Sequence, residues 1–86
     1  MRGFEKAKGY TNLAFELPKR GTKYSAGYDL ALIEEITINP GEIVFGKTGL
    51  KAFMNQDEVL FIYPRSSLAR KYKLTLSNNV GVVDSD

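Results

Sequence analysis

The sequence predicts an all-β fold, a sandwich, jelly roll or small barrel of short strands that carries one short helix. Apolar residues occur in short runs rather than at helical spacing, and turn-forming glycine and proline separate these runs. Only Pro64–Lys73 combines helix-forming residues with capping residues. The chain of 86 residues contains no repeat and no linker composition, so residues 1–86 are predicted to form a single domain.

Five strands are predicted before residue 54. They are Thr11–Leu17, Tyr28–Ile33, Glu35–Ile38, Ile43–Phe45 and Leu50–Phe53. Pro18 ends the first of them, because proline cannot donate to a strand ladder. Between the third and fourth, Pro40 and Gly41 predict a type II turn, since proline fixes the first φ angle and glycine accepts the positive φ of the second.

The second half of the chain contains the most apolar run, Glu58–Tyr63, which predicts a strand buried on both faces. Two further strands are predicted after it, Leu74–Leu76 and Val80–Val83. The helix is expected between Tyr63 and Leu74, with Ser66 and Ser67 as N-cap candidates. Its last residues are basic, which suits the negative end of a helix dipole.

The composition narrows the classes of function. Cysteine and histidine are both absent, which excludes disulfides, the usual zinc ligands, a cysteine nucleophile and a histidine-assisted triad. A general base must therefore be Asp, Glu, Lys or Tyr. The net charge of +2 is too weak to predict a nucleic-acid surface, and no apolar stretch resembles a signal peptide or a membrane span. We expect a soluble, cytoplasmic protein without nucleic-acid or membrane partners.

The short length also bears on stability. A small domain leaves much of its surface exposed and usually needs disulfides, a metal or partner subunits. Because the chain has no cysteine for disulfides and lacks the cysteine and histidine of the usual zinc sites, we expect either oligomerisation or a larger parent protein.

Two stretches carry candidate anion or metal chemistry. In SAGYDL (residues 25–30), Asp29 is an acid in a strand-like run, although an acid after glycine is more typical of a turn or ladder position. In PRSSLAR, Arg65 offers a bidentate fork for phosphate oxygens, and Ser66 and Ser67 add hydroxyl donors beside a helix start. The alternative is an ordinary capped helix with an exposed arginine.

Two more candidates lie near the end of the chain. The amide of Asn78, in the stretch SNN, offers both a donor and acceptors, which suits recognition of a pyrimidine edge. The alternative is a tight turn, where asparagine tolerates positive φ. Asp84 follows an apolar strand and is a candidate general base for water if it is partly desolvated. The alternative is again a turn acid.

Taken in order, three stretches resemble the homotrimeric dUTPases, the deoxyuridine triphosphate nucleotidohydrolases. AGYDL (Ala26–Leu30) is similar to the first of that family's five motifs, PRSSLA (Pro64–Ala69) to the second, and NNVGVVDSD (Asn78–Asp86) to the start of the third. The intervals also match, and INPGE and TGLKAF resemble the stretch between motifs one and two. The resemblance extends from about Ala14 to Asp86.

This resemblance implies a jelly-roll-like fold or distorted barrel, hydrolysis of dUTP to dUMP and pyrophosphate, Mg²⁺ as cofactor, and a homotrimer with shared active sites. It gives Asp84 the role of activating the water that attacks the α-phosphorus. Ser66 matches the serine that bonds the oxygen bridging the α- and β-phosphates. Arg65 and Ser67 match phosphate-contacting neighbours, Ser67 mainly through its backbone.

The remaining roles concern recognition of the uracil base and the position of the metal ion. Asn78 matches the asparagine that recognises the uracil edge, and the backbone of Val82 and Val83 matches the hairpin that cradles base and sugar. Asp29 matches the acid near the metal. Since Mg²⁺ in this family is held by the triphosphate and waters, Asp29 is expected to act through water.

Two other functions stay open at the level of sequence. A dCTP deaminase shares the implied fold and a similar RSSLAR stretch, although the asparagine and the final acids of the chain resemble the dUTPase form. A non-catalytic module that binds nucleotide or protein is the other alternative, with a regulatory protein partner if the gene is from a phage.

The sequence departs from the family at its end. The family's third motif continues with a tyrosine that packs beneath the deoxyribose, whereas this chain stops at Asp86. Motifs four and five, with the glycine-rich tail, have no counterpart. We therefore expect these residues to be the N-terminal portion of a dUTPase, and the 86-residue polypeptide alone to have little or no activity.

Overall fold

A computed structural model describes all residues, 1–86, and contains four strands and one helix. The strands are β1 (Gly3–Lys6), β2 (Leu50–Phe53), β3 (Val59–Ile62) and β4 (Gly81–Asp84), and the helix is α1 (Ser66–Tyr72).

The chain forms two compact units. The N-terminal unit comprises Arg2–Phe53, and the C-terminal unit comprises Met54–Asp86 together with Met1. The prediction of a single domain stays a prediction. No helix has the length and apolar character needed to cross a bilayer.

The N-terminal unit is organised by the antiparallel pairing of β1 with β2, in which Gly3 lies opposite Phe53 and Lys6 opposite Leu50. A β-carbon at Gly3 would lie 2.8 Å from Cζ of Phe53, so glycine lets that ring cross the partner strand. The sequence did not predict β1, because its four residues contain one apolar side chain and no alternation. Pairing with β2 stabilises it.

Gly49 is the one buried residue of this unit. Its φ is +67°, and its carbonyl accepts a hydrogen bond of 2.8 Å from the amide of Ala7. The rings of Tyr10 and Phe15 lie against it, at 3.2 and 3.0 Å from where a β-carbon would stand. The ammonium group of Lys6 lies 4.6 Å from the Phe15 ring centre. A small aromatic cluster therefore closes over glycine.

The type II turn is confirmed. Gly41 has a φ of +81°, and the amide of Glu42 donates to the carbonyl of Asn39 at 3.0 Å, which closes the turn around Pro40 and Gly41. The carboxylate of Glu42 also accepts a 3.0 Å hydrogen bond from the amide of Asn39. Every contact involved lies within four residues, so the local sequence is sufficient to specify it.

The strand predictions have a mixed outcome. Leu50–Phe53 is confirmed, β3 lies within its predicted run, and β4 is shifted by one residue from Val80–Val83. Four predicted strands are wrong because no strand forms there. They are Thr11–Leu17, Glu35–Ile38, Ile43–Phe45 and Leu74–Leu76. The predicted strand Tyr28–Ile33 is reduced to one bridge between Asp29 and Lys19.

A missing partner explains these failures. Across residues 30–46, the backbone amides that donate to another backbone group are those of Ile33, to the carbonyl of Lys47, and Glu42, within the turn. A strand needs a neighbour to accept and donate its ladder hydrogen bonds, and no such neighbour lies beside these segments. Strand-like composition alone does not supply one.

The C-terminal unit is built on the antiparallel ribbon β3–β4, in which Val59 lies opposite Asp84, Phe61 opposite Val82, and Ile62 opposite Gly81. Burial alternates along β3. Ile62 is half-buried, whereas Val59 and Phe61 are 44% and 50% exposed. The prediction of a strand buried on both faces is wrong for the single chain, since nothing covers the second face of a two-stranded ribbon.

Helix α1 begins after Arg65, which is the N-cap residue, with extended φ and ψ of −69° and 145° and no side-chain capping hydrogen bond. The prediction of a serine N-cap is therefore wrong, because Ser66 and Ser67 lie inside the helix. Lys73 ends the helix in the left-handed conformation, with φ of +54°. The amide of Leu74 donates to the carbonyl of Leu68 at 3.0 Å, which completes a Schellman-type end.

Replacement of Gly49 tests the packing of the N-terminal unit. We expect Gly49→Ala to lower the free energy of unfolding by about 2–3 kcal/mol, because a β-carbon is disfavoured at positive φ and the new methyl group must displace Phe15. Gly9→Ala is the matched control, since Gly9 has a φ of +90° and nothing within 4 Å of its β-carbon position. Urea denaturation measures both. Equal losses in the two variants would show that packing at Gly49 contributes nothing.

Candidate functional site

The first candidate cluster lies where β3 passes into α1. Pro64 separates the strand from the helix, and Arg65 follows in an extended conformation as the N-cap residue. Arg65 and Ser66 are exposed, and Ser67 is half-buried. The amides at the start of a helix have no intrahelical acceptor. A guanidinium group, two hydroxyls and unsatisfied backbone amides therefore meet at one corner, which is a combination suited to phosphate oxygens.

The second cluster is the turn that leads into β4. Asn79 has a φ of +64°, its amide donates to the carbonyl of Leu76 at 3.1 Å, and the amide of Val80 donates to the carbonyl of Asn78 at 2.7 Å. The tight-turn interpretation therefore holds for Asn79. The side chain of Asn78 is exposed and makes no hydrogen bond within the chain, so its donor and acceptor are available to a ligand.

Strand β4 carries the third candidate. Asp84 is its last residue and lies opposite Val59, on the same face as Val82 and Phe61, because directly paired residues share a face and alternate residues return to it. All of these side chains are exposed. The expectation that the apolar strand partly desolvates Asp84 is not met within the single chain, because no side chain covers this face.

The ribbon register decides which candidates meet. Ile62, at the end of β3, pairs with Gly81, at the start of β4. The corner that carries Arg65 and the turn that carries Asn78 therefore lie at the same end of the ribbon. Asp84 lies at the other end, three residue pairs away, which at about 3.3 Å per residue is about 10 Å along the strand.

Two residues that the sequence analysis did not single out help to hold the ribbon. A β-carbon at Gly81 would lie 3.1 Å from Cβ of Ile62, so glycine allows the two strands to approach. The hydroxyl of Ser85 donates to the carbonyl of Gln56 at 3.3 Å, which ties the end of β4 to the loop before β3. A glycine inside a strand pattern is a signal for close approach and could have indicated Gly81. The sequence contains no comparable signal for Ser85.

The remaining candidate, Asp29, belongs to the N-terminal unit. Its amide donates to the carbonyl of Lys19 at 2.9 Å, and its side chain lies near Gly21, whose β-carbon position is 3.3 Å from Oδ2. Asp29 is exposed at one side of an open groove of about 310 Å³, whose floor includes Leu17 and Leu32. No group of three or more Asp, Glu, His or Cys side chains in the chain is placed to hold a metal ion.

Comparison with known proteins agrees with this arrangement of motifs. The sequence model of the dUTPase family matches residues 14–86. The chain belongs to the dUTPase family. The match includes the AGYDL, PRSSLA and NNVGVVDSD stretches, which confirms the family predicted from them.

Two curated relatives are named deoxyuridine 5'-triphosphate nucleotidohydrolase. The protein of Lactococcus lactis subsp. lactis (strain IL1403) is 50% identical over 86 residues, which are 100% of this chain and 57% of the relative. The protein of Desulfitobacterium hafniense (strain DSM 10664 / DCB-2) is 47% identical over 74 residues, 83% of this chain and 49% of the relative. The chain therefore spans about half the length of the curated relatives it matches.

A solved structure supports the fold. The crystal structure of dUTPase from Streptococcus mutans superposes with a TM-score of 0.88 at 48% identity, covering 98% of this chain and 65% of that chain. The all-β, dUTPase-like fold with one short helix is confirmed.

The absence of a side-chain cap on α1 leads to a prediction. We expect Ser66→Ala to change the free energy of unfolding by less than about 0.5 kcal/mol, because its hydroxyl caps nothing. In contrast, Arg65→Asp should stabilise the chain by about 0.5–1 kcal/mol by supplying the missing acceptor. Urea denaturation of the 86-residue chain measures both, and a loss near 1 kcal/mol in Ser66→Ala would contradict the observed cap.

Proposed function

We propose that the protein to which these residues belong hydrolyses dUTP to dUMP and pyrophosphate. The observation that carries the proposal is the dUTPase family match over residues 14–86. The three clusters described above supply groups of the chemical types that this reaction requires: phosphate donors, an amide for base recognition and a carboxylate for water.

The corner after β3 is the phosphate site in this proposal. Arg65 binds phosphate oxygens through its guanidinium fork, Ser66 donates to the oxygen that bridges the α- and β-phosphates, and Ser67 contributes its backbone amide. The exposure of Arg65 and Ser66 to solvent supports this role. Donors at the bridging oxygen stabilise the charge that accumulates there as the bond breaks.

Asn78 and the start of β4 form the base and sugar site in this proposal. Asn78 pairs its amide with the uracil edge, and the backbone of Val82 and Val83 lies against base and sugar. Where the amide donor is paired with a carbonyl oxygen of uracil, it would face an amino group in cytosine instead. The donor would then have no acceptor, so cytosine is bound less well. The exposed, unbonded Asn78 side chain supports this assignment.

Asp84 is the general base. It accepts a proton from water as the water oxygen bonds to the α-phosphorus, and the bond between that phosphorus and the bridging oxygen breaks, with its electron pair leaving on pyrophosphate. A carboxylate is one of the bases open to this chain, whose residues include no histidine and no cysteine.

Mg²⁺ is proposed as the cofactor, and the chain's residues fit an indirect role in holding it. Mg²⁺ usually keeps several waters and takes substrate phosphates with one or two carboxylates. The exposed carboxylate of Asp29 and the absence of a cluster of three ligands suit that pattern, with Asp29 hydrogen-bonded to a metal-bound water. The ion supplies neutralisation of phosphate charge when bound.

Assembly as a homotrimer with shared active sites is also part of the proposal. The chain of 9.6 kDa exposes 7552 Å², whereas a compact monomer of that mass exposes about 5,100 Å². The difference, about 2,500 Å², is surface available to partner subunits and to the part of the protein beyond the matched region, since the chain spans 57% of the Lactococcus lactis relative. The distance of about 10 Å along the ribbon between Asp84 and the Arg65 corner further supports a site in which one chain supplies the base and another the phosphate donors.

The proposal is tested with a hybrid in which residues 1–86 are followed by the part of the Lactococcus lactis relative beyond the matched region. We expect the hybrid to release pyrophosphate from dUTP and not from dCTP, and the 86-residue chain alone to release little. An inactive but folded hybrid, or conversion of dCTP to a deaminated product with dUTP untouched, would refute the proposal.

Asp84→Asn in the hybrid tests the general base. We expect hydrolysis to fall by a factor of at least about 1,000, because the amide cannot accept the proton, while binding of dUTP changes little. Steady-state turnover and isothermal titration calorimetry separate the two. Asp86→Asn is the control. Turnover retained in Asp84→Asn would contradict the assignment of Asp84 as the general base.

Arg65→Ala in the hybrid tests the phosphate site. Loss of a charge-assisted, bidentate contact should weaken nucleotide binding by about 10–100-fold. Arg70→Ala, which removes a cation farther along the same helix, is expected to leave dUTP affinity unchanged. Nucleotide affinity that is unaffected by Arg65→Ala would count against its role.

A further inference from the structure

The positive charge of the C-terminal unit is concentrated in one stretch. Residues 59–83 contain four cations and no acid. One of the four, Arg65, lies at the proposed phosphate site, whereas Arg70, Lys71 and Lys73 lie in the last turn of α1 and at its C-cap. The net charge of +2 for the whole chain conceals this concentration.

Arg70, Lys71, Tyr72 and Lys73, here named the RKYK patch, are all exposed. None of the three cations forms an ion pair within the chain, and the Tyr72 side chain is 65% exposed although it is large and mostly apolar. The half-buried residues of the helix are Ser67 and Leu68, in its first turn. The last turn is therefore directed at solvent.

Lys73 is the residue that ends the helix. Lys73 holds a φ of +54° and a ψ of +37°, a conformation that glycine adopts without penalty and that a side chain with a β-carbon disfavours. A residue in this conformation commonly ends a helix, and it is usually glycine. Basic residues near a helix C-terminus are explained by the helix dipole, but the dipole does not require a cation at the strained position or an exposed tyrosine among the cations.

The other basic and aromatic segment of the chain differs in its partners. Lys19 forms an ion pair of 3.2 Å with Glu16, and the guanidinium carbon of Arg20 lies 5.4 Å from the centre of the Tyr28 ring. Acids and rings therefore already engage these cations, unlike those of the RKYK patch.

We propose that the RKYK patch binds single-stranded nucleic acid, with Arg70, Lys71 and Lys73 contacting successive phosphates and Tyr72 stacking on a base. Basic residues interleaved with an exposed aromatic ring are the combination that sequence-tolerant single-strand binding uses. The binding is separate from dUTP hydrolysis, since it uses none of the residues assigned to that reaction.

The number of cations sets the expected salt dependence. Each neutralised phosphate of a single strand contributes about −0.7 to the slope of log K against log salt concentration, so three contacts give a slope of about −2. Stacking on one aromatic ring strengthens binding by about 5–150-fold, with no effect on that slope.

The test measures fluorescence anisotropy of a fluorescein-labelled oligothymidylate, about 15 nucleotides long, with the hybrid described above. We expect saturable binding with the slope given above. Lys71→Gln should weaken binding and bring the slope to about −1.4, and Tyr72→Ala should weaken binding with the slope unchanged. Circular dichroism of each variant confirms that the fold is retained.

Lys73→Gly separates binding from folding. Relief of the strained backbone should raise the midpoint of thermal unfolding by about 4–8 °C, while loss of the cation weakens oligonucleotide binding. A merely structural role for Lys73 predicts that oligonucleotide binding is unchanged or stronger in Lys73→Gly, because the variant chain is more stable.

Three outcomes would overturn the proposal. The first is that Lys23→Gln, which removes an exposed cation beside Tyr24 in the N-terminal unit, weakens binding as much as Lys71→Gln. The second is displacement of the oligonucleotide by excess dUTP, which would place binding at the nucleotide site. The third is equally effective competition by polyglutamate, which would show a surface for acidic protein segments. Failure here leaves the hybrid's dUTP hydrolysis untouched, so the two proposals are tested separately.

Discussion

The antiparallel register of β3 and β4 is the constraint on which the C-terminal unit depends. Pairing Ile62 with Gly81 brings the helix corner and the Asn78 turn to one end of the ribbon, and pairing Val59 with Asp84 places the carboxylate at the other. Because side chains alternate with a period of two, a slip of one residue would turn Asp84 to the opposite face. The ladder thus fixes both the position and the direction of the acid.

A second constraint is how little apolar surface the single chain buries. Aromatic and aliphatic side chains in both units remain exposed, and no large hydrophobic residue is fully buried. Hydrophobic burial is the dominant favourable term in folding, so a chain with this surface gains stability mainly by covering it. The same surface explains why Asp84 is exposed here, since the ribbon face that carries it has no neighbour.

The features that the sequence predicted correctly are local in origin. The turn at Pro40–Gly41 follows from the backbone preferences of two adjacent residues, and β2 and the helix follow from short patterns of apolar and helix-forming residues. The failed strands, such as Glu35–Ile38, have the composition of strands and lack a partner. Single-chain composition cannot indicate whether that partner is present, because ladder hydrogen bonds join segments far apart in sequence.

The sequence by itself determined the family and the candidate residues, because three motifs in order identify a family without reference to packing. Only the tertiary structure decided that β1 pairs with β2, that Arg65 rather than a serine caps the helix, and that Asp84 lies about 10 Å along the ribbon from the Arg65 corner. These depend on register and backbone angles. Register arises from contacts between segments far apart in sequence, which no local pattern of residues encodes.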